Sequence, residues 1–171
     1  DVGATELSKI MLLAQQMEIL SLKSCDIGDD GGSALAWIIP SHPSLKYLDF
    51  GYAVNTKPVG AKANRITDRG ALVFAQALSV LFATNGSDSK FERLSLSQNQ
   101  ISDVGARSLL SVLQTANKTG NHSMVQLSLE KNGKIQNQMI LRYIQKICDE
   151  NATCKVLQQQ QTKQDEQSQN E

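Results

Sequence analysis

Apolar residues recur in pairs two positions apart along the chain: Leu20 and Leu22, Leu48 and Phe50, Leu94 and Leu96, Leu127 and Leu129. Their neighbours are mostly polar, as in Ile19-Leu20-Ser21-Leu22-Lys23. A period of two is the mark of a strand. One more apolar residue stands three positions before each pair, at Met17, Leu45, Phe91 and Met124. After each pair the period changes. Phe74, Ala77, Leu78 and Leu81, and again Ala106, Leu109, Leu110 and Leu113, follow the three-and-four spacing of a helix with one buried face. Met139, Ile140, Tyr143, Ile144 and Ile147 form a fourth helical set within Gln138–Cys148.

These units are copies of one another. Leu94-Ser-Leu96-Ser-Gln-Asn99-Gln-Ile101-Ser-Asp103-Val-Gly105 aligns without a gap on Leu20-Ser-Leu22-Lys-Ser-Cys25-Asp-Ile27-Gly-Asp29-Asp-Gly31. The shared pattern is LxLxx(N/C)xIxDxGxxxL. A third copy starts at Leu48-Asp-Phe50 and resumes at Asn64-Arg-Ile66-Thr-Asp68-Arg-Gly70, after an insertion from Gly51 to Ala63. A fourth, Leu127-Ser-Leu129-Glu-Lys-Asn132, loses the Asp-x-Gly step, and Ile135 comes one residue late. The chain opens inside a copy, since Asp1-Val-Gly3-Ala4 matches Asp103-Val-Gly105-Ala106. The expectation is a piece of a longer array, or a first helix that serves as a truncated cap.

Several landmarks recurring in register mean an internal repeat. The pattern resembles the leucine-rich repeat family, ribonuclease-inhibitor subtype, over nearly all of Asp1–Leu157. The resemblance implies an α/β fold: a leucine-rich-repeat solenoid, a short horseshoe arc with parallel strands on the concave face and helices on the convex face. Within that fold Cys25, Asn64, Asn99 and Asn132 follow the strands, where a side-chain amide can bond turn backbone and build a ladder. Ile27, Ile66 and Ile101 re-enter the core. Asp29, Asp68 and Asp103 stand at helix starts, where an Asp can cap free N–H groups. Gly31, Gly70 and Gly105 suit a close approach of helix to sheet. Trp37 is expected to pack. The array is expected to span 1–157, closed by the degenerate fourth unit with Val156 and Leu157. The Gln-rich 158–171 segment carries no apolar residue and is expected to be disordered.

Composition narrows the chemistry. The 171 residues carry 17 Lys+Arg and 17 Asp+Glu, and this zero balance gives no general pull toward nucleic acid or an anionic membrane. No apolar run approaches the roughly 20 residues that insert across a bilayer. Aromatics are 5%, so the core must be aliphatic. Three cysteines and two histidines make neither a disulfide framework nor a zinc cage. Cys25 and Cys148 read as small buried hydrophobes. The odd cysteine count, with no leader visible, points to an intracellular protein. Asn85, Asn117, Asn121 and Asn151 each begin an Asn-x-Ser/Thr triplet, which in an Asn- and Ser-rich chain also arises by chance.

No phosphate loop, GxSxG, HExxH or Cys/His pair with an orienting group is present, so neither catalysis nor a cofactor is expected. The resemblance places the outward strand positions on the concave side: Ile19, Ser21 and Lys23; Tyr47, Asp49 and Gly51; Arg93, Ser95 and Ser97; Gln126, Ser128 and Glu130. Tyr47 and Arg93 should be lateral neighbours, and both residue types anchor interfaces. The expected function is docking of a protein partner on this face. The insertion, with Tyr52, Lys57, Lys62 and Arg65, is locally basic. It reads equally as a tolerated surface excursion or as an accessory contact loop. The subtype includes ribonuclease inhibitors, activators of the small GTPase Ran and sensor regions of nucleotide-binding immune receptors. A regulator of an enzyme, or a structural subunit docked through its edges, is the alternative reading.

Overall fold

The computed structural model describes residues 1–53, 60–85 and 89–168. Strands and helices alternate along the chain: α1 (Val2–Met11), β1 (Ile19–Ser21), α2 (Asp29–Ala36), β2 (Tyr47–Asp49), α3 (Asp68–Asn85), β3 (Arg93–Ser95), α4 (Asp103–Lys118), β4 (Gln126–Ser128) and α5 (Gln138–Ser168). The four strands form one parallel sheet in chain order. Each unit therefore lies beside its sequence neighbour, and the helices pack in the same order. This is the one-dimensional stacking of a solenoid.

The leucine pairs fill the space between sheet and helices. Leu48, Phe50, Leu94 and Leu96 are fully buried, as are Leu45, Phe74, Leu78, Ile66 and Ile101. Phe50 and Phe74 meet edge to face at 5.4 Å. The asparagine ladder runs behind the sheet. The Asn64 Oδ1 accepts from the Cys25 and Ile27 N–H groups, and its Nδ2 donates to the Leu22 and Phe50 carbonyls. Asn132 does the same for Asn99 and Ile101, one unit on. Each amide thus satisfies backbone groups that the turn would leave buried and unpaired. The residue before the ladder position takes a left-handed conformation at Ser24, Gln98 and Lys131 (φ 56°, 56° and 57°). That costs about 1–2 kcal/mol for a non-glycine residue, and the ladder bonds hold the chain there.

The aspartates cap across units, not within their own. Asp29 Oδ1 accepts from Thr67 N–H (2.7 Å) and Gly70 N–H (3.0 Å), while its Oδ2 accepts from the Thr67 hydroxyl (2.6 Å). Asp68 binds Ser102 and Gly105 in the same way, and Asp1 binds Gly28 and Gly31. Each carboxylate sits on the positive end of the following helix. Burial raises the pKa of Asp29 and Asp68, but these hydrogen bonds outweigh it and hold both below the usual carboxylate range. The same contact explains the glycines. A methyl group at Gly105 would lie 2.6 Å from Asp68 Oδ1 and 2.9 Å from the Ala71 Cβ. The close approach is therefore to the preceding helix start, not to the sheet.

Several expectations need correction. Trp37 is 46% exposed, because it caps α2 where the short helix ends. Cys148 is buried, which pushes its thiol up to about 11, but Cys25 is exposed, at the end of the sheet where among the described residues no strand flanks β1 on its outer side. In α5 the buried set is Ile140, Ile144 and Ile147, while Met139, Tyr143, Val156 and Leu157 face solvent. Apart from these corrections, the α5 backbone is helical as far as Ser168. Gln, Lys and Glu are good helix formers, and extending an existing helix avoids the cost of a new nucleus.

Candidate protein-docking face

The outward strand positions fall into two lateral rows. Register aligns Ile19, Tyr47, Arg93 and Gln126 in one row, and Ser21, Asp49, Ser95 and Ser128 in the next. Parallel stacking without a slip puts like positions side by side, so the rows follow from the repeat itself. Lys23, Ser97 and Glu130 lie two residues further along their units.

The rows are not uniformly accessible. Ile19, Ser21, Lys23, Arg93, Gln126 and Glu130 are exposed, while Tyr47, Ser97 and Ser128 are half-buried. Asp49 is 1% and Ser95 7% exposed, so neither offers the open contact expected of it. Their neighbours' longer side chains cover them. Lys23 Nζ reaches Asp49 Oδ2 at 2.8 Å, and the Tyr47 hydroxyl donates to the same oxygen at 2.6 Å. The other oxygen accepts from the Gly51 N–H at 2.8 Å. Burial raises the Asp49 pKa, yet the bonds from Lys23, Tyr47 and Gly51 outweigh it, and the carboxyl is held low. Tyr47 moves the other way. Burial, with the hydrogen bond to Asp49 and its charge, pushes the phenol up to about 12. Asp49 is thus a brace beneath the face, and it fixes both Tyr47 and Lys23.

Arg93 completes the cluster. Its guanidinium lies 5.4 Å from the Tyr47 ring centroid, within the range of a cation–π contact. Beyond it the Gln126 amide donates to Ser128 Oγ at 3.1 Å, and the hydroxyls of Ser95 and Ser97 stand 3.5 Å apart. The face is therefore mixed: apolar at Ile19, aromatic and cationic at its centre, and neutral polar toward β4.

The described basic residues of the insertion and its return are paired. Arg65 Nε donates to Asp26 Oδ1 at 2.5 Å, and Lys62 pairs with the same carboxylate at 3.7 Å. Arg69 meets Asp29 at 3.4 Å and Asp30 at 2.7 Å. Lys62, Arg65 and Arg69 are thus answered by the preceding unit's acids. Sequence reasoning missed these partners because Asp26 and Asp30 lie about one repeat upstream. Tyr52 is half-buried at the start of the insertion, and Lys57 lies outside the described residues.

Among the described residues no three His, Cys, Asp or Glu side chains are grouped to hold a metal, and no helix is long and apolar enough to cross a membrane. Two Asn-x-Ser/Thr asparagines serve the interior. Asn151 is 2% exposed and its Nδ2 donates to the Met124 carbonyl at 2.8 Å; Asn121 is 5% exposed. Neither side chain is open to attachment of a glycan in the folded protein.

A family model described as leucine rich repeat matches residues 15–36 and 87–110. Among solved structures, the chain is similar to the actin-binding site 2 of leiomodin-1, with 14% identity and a TM-score of 0.57, over 99% of this chain and 96% of that one. It is also similar to the tropomodulin C-terminal domain of Caenorhabditis elegans, with 12% identity and a TM-score of 0.66, over 91% and 79% of the two chains. At these identities the likeness concerns the fold alone. No curated protein matches at a significant level.

Proposed function

The chain is a leucine-rich repeat protein, and we propose that it acts as a non-catalytic docking module whose concave strand face takes a protein partner. The observation that carries this reading is the Ile19–Tyr47–Arg93–Gln126 row, in register across all four strands. Tyr and Arg are enriched among the residues that dominate binding energy, and rigid anchors lose little entropy on binding. Here Tyr47 is tied to Asp49 and Arg93 rests on Tyr47, so both are ordered before a partner arrives. The outward strand positions, Ile19, Ser21, Lys23, Ser97, Ser128 and Glu130 among them, supply the surrounding contact area. The insertion contributes less than its composition suggests, because Lys62 and Arg65 are engaged with Asp26.

The structural neighbour described as an actin-binding site makes actin one partner to test. A second reading, docking through an edge, draws support from β1. Among the described residues it has a neighbour on one side only, and Leu20 and Leu22 behind it are only partly buried.

The test is affinity capture from native extract, with actin assayed separately. The baits are the wild-type chain, a Ser21→Trp/Gln126→Trp variant and a Leu12→Glu/Leu13→Glu variant. All four positions are exposed, so circular dichroism should report an unchanged fold. Partners lost only with the two tryptophans support the concave face. Partners lost only with the two glutamates move recognition to the edge beside α1.

A further inference from the structure

Resting on the concave-docking reading, we propose that the partner is an acidic protein segment, whose carboxylate seats on Arg93 with an apolar side chain beside it over Ile19. The argument begins with charge. Three basic groups near the sheet are answered within the chain: Lys23 by Asp49, Lys46 by Glu18 (2.8 Å), and Lys155 by Glu92 (2.9 Å), while Arg142 of α5 stands at the far end, beside Ser128 and Glu130. Arg93 forms no ion pair among the described residues, yet it is exposed at the middle of the sheet. Asp49, in the adjacent row, is buried and already neutralised by Lys23. At the centre of the face the Lys23, Asp49 and Arg93 charges therefore sum to one positive charge, with Glu130 lying apart at the β4 end. An arriving carboxylate meets attraction and little repulsion.

Geometry then selects the ligand. The Arg93 guanidinium lies over the Tyr47 ring and makes no side-chain hydrogen bond among the described residues, so its N–H donors remain for a planar, bidentate acceptor. Recognition of a phosphate typically uses a cluster of arginines. Of the row's residues Arg93 alone carries a guanidinium, and Lys23 is committed to Asp49, so a singly charged carboxylate matches the centre of the face better. Ile19 is 59% exposed and lies two strands from Arg93 in the same row. Two strand spacings are about 10 Å, which is the separation the partner's apolar and acidic groups must bridge.

A phage-displayed library of random linear peptides, selected on the whole chain, tests this. Enriched sequences should carry Asp or Glu with an apolar residue nearby. For a synthetic enriched peptide, replacing that acid by its amide, or Arg93→Glu in the protein, should weaken binding about 10- to 100-fold. A peptide with Lys in place of the acid should recover affinity for the Arg93→Glu chain. Binding that is lost with Gln126→Trp but unchanged by Arg93→Glu overturns the carboxylate proposal and leaves concave docking standing. Peptides indifferent to both substitutions, or no enrichment at all, count against the docking reading itself. Thermal melts of each variant separate lost contact from lost fold.

Discussion

The two ends of the solenoid are built to different standards. The first unit keeps the repeat consensus, with Asp1, Gly3, Ala4 and Leu7 in place. Yet it is the poorly covered end: Leu7, Leu20 and Leu22 are only partly buried. The last unit loses the Asp-x-Gly step, and still Leu127 and Leu129 are 5% and 2% exposed, because α5 packs over them. Consensus residues make a surface that fits a neighbouring unit. A departure from consensus can close the stack instead. Gly3 is the clearest case. At Gly31, Gly70 and Gly105 an added methyl group would sit 2.6–2.8 Å from an aspartate oxygen of the preceding unit, whereas at Gly3 it would meet nothing within 4 Å.

That contrast can be broken in order of effect. Leu129→Ala at the closed end should cost about 2–5 kcal/mol, whereas Leu22→Ala at the open end should cost about half as much; urea unfolding measures both. Next comes the ladder. Asn99→Ala strands the buried Ile66 N–H and three carbonyl contacts, and each unsatisfied group costs about 1–3 kcal/mol. Cys25→Ala, at the same repeat position but exposed, should leave the melting temperature nearly unchanged.

The glycine pair should split in sign. Gly105→Ala forces Asp68 and Ala71 apart and should destabilise the fold by about 1–3 kcal/mol. Gly3→Ala meets open space within α1 and should stabilise it by about 0.5–1 kcal/mol. Opposite shifts of the denaturation midpoint would verify the junction geometry; equal shifts would contradict it.

The smallest effect is one of pH. Asp29, Asp49 and Asp68 have folded pKa values below their ordinary range. The unfolded chain therefore takes up protons first, near pH 4. The stabilisation is complete above that point and is lost as pH falls through the lower folded values. An Asp68→Asn chain should lose less stability between neutral pH and pH 3 than the wild type, as read by melting at each pH.

Much of this was legible in the chain. The strand pairs, the ladder asparagines, the order of units and the lateral pairing of Tyr47 with Arg93 all follow from periodicity, because a repeat places like residues side by side. Local pattern also indicated the buried leucines of the inner units, Leu48, Leu94 and Leu96 among them. Other features came only from contacts between units. The aspartates cap the next helix and not their own, since the nearest unsatisfied N–H groups belong to the following unit. Asp49 is a buried brace and not an open contact, because Lys23 from the preceding unit and Tyr47 from its own strand close over it. The acids that neutralise Lys62, Arg65 and Arg69 lie nearly forty residues away. Sequence periodicity thus determined the repeat and its core, where the physical cause is local alternation. The tertiary structure decided which charges remain free, because electrostatics depends on distance in space and not on separation along the chain.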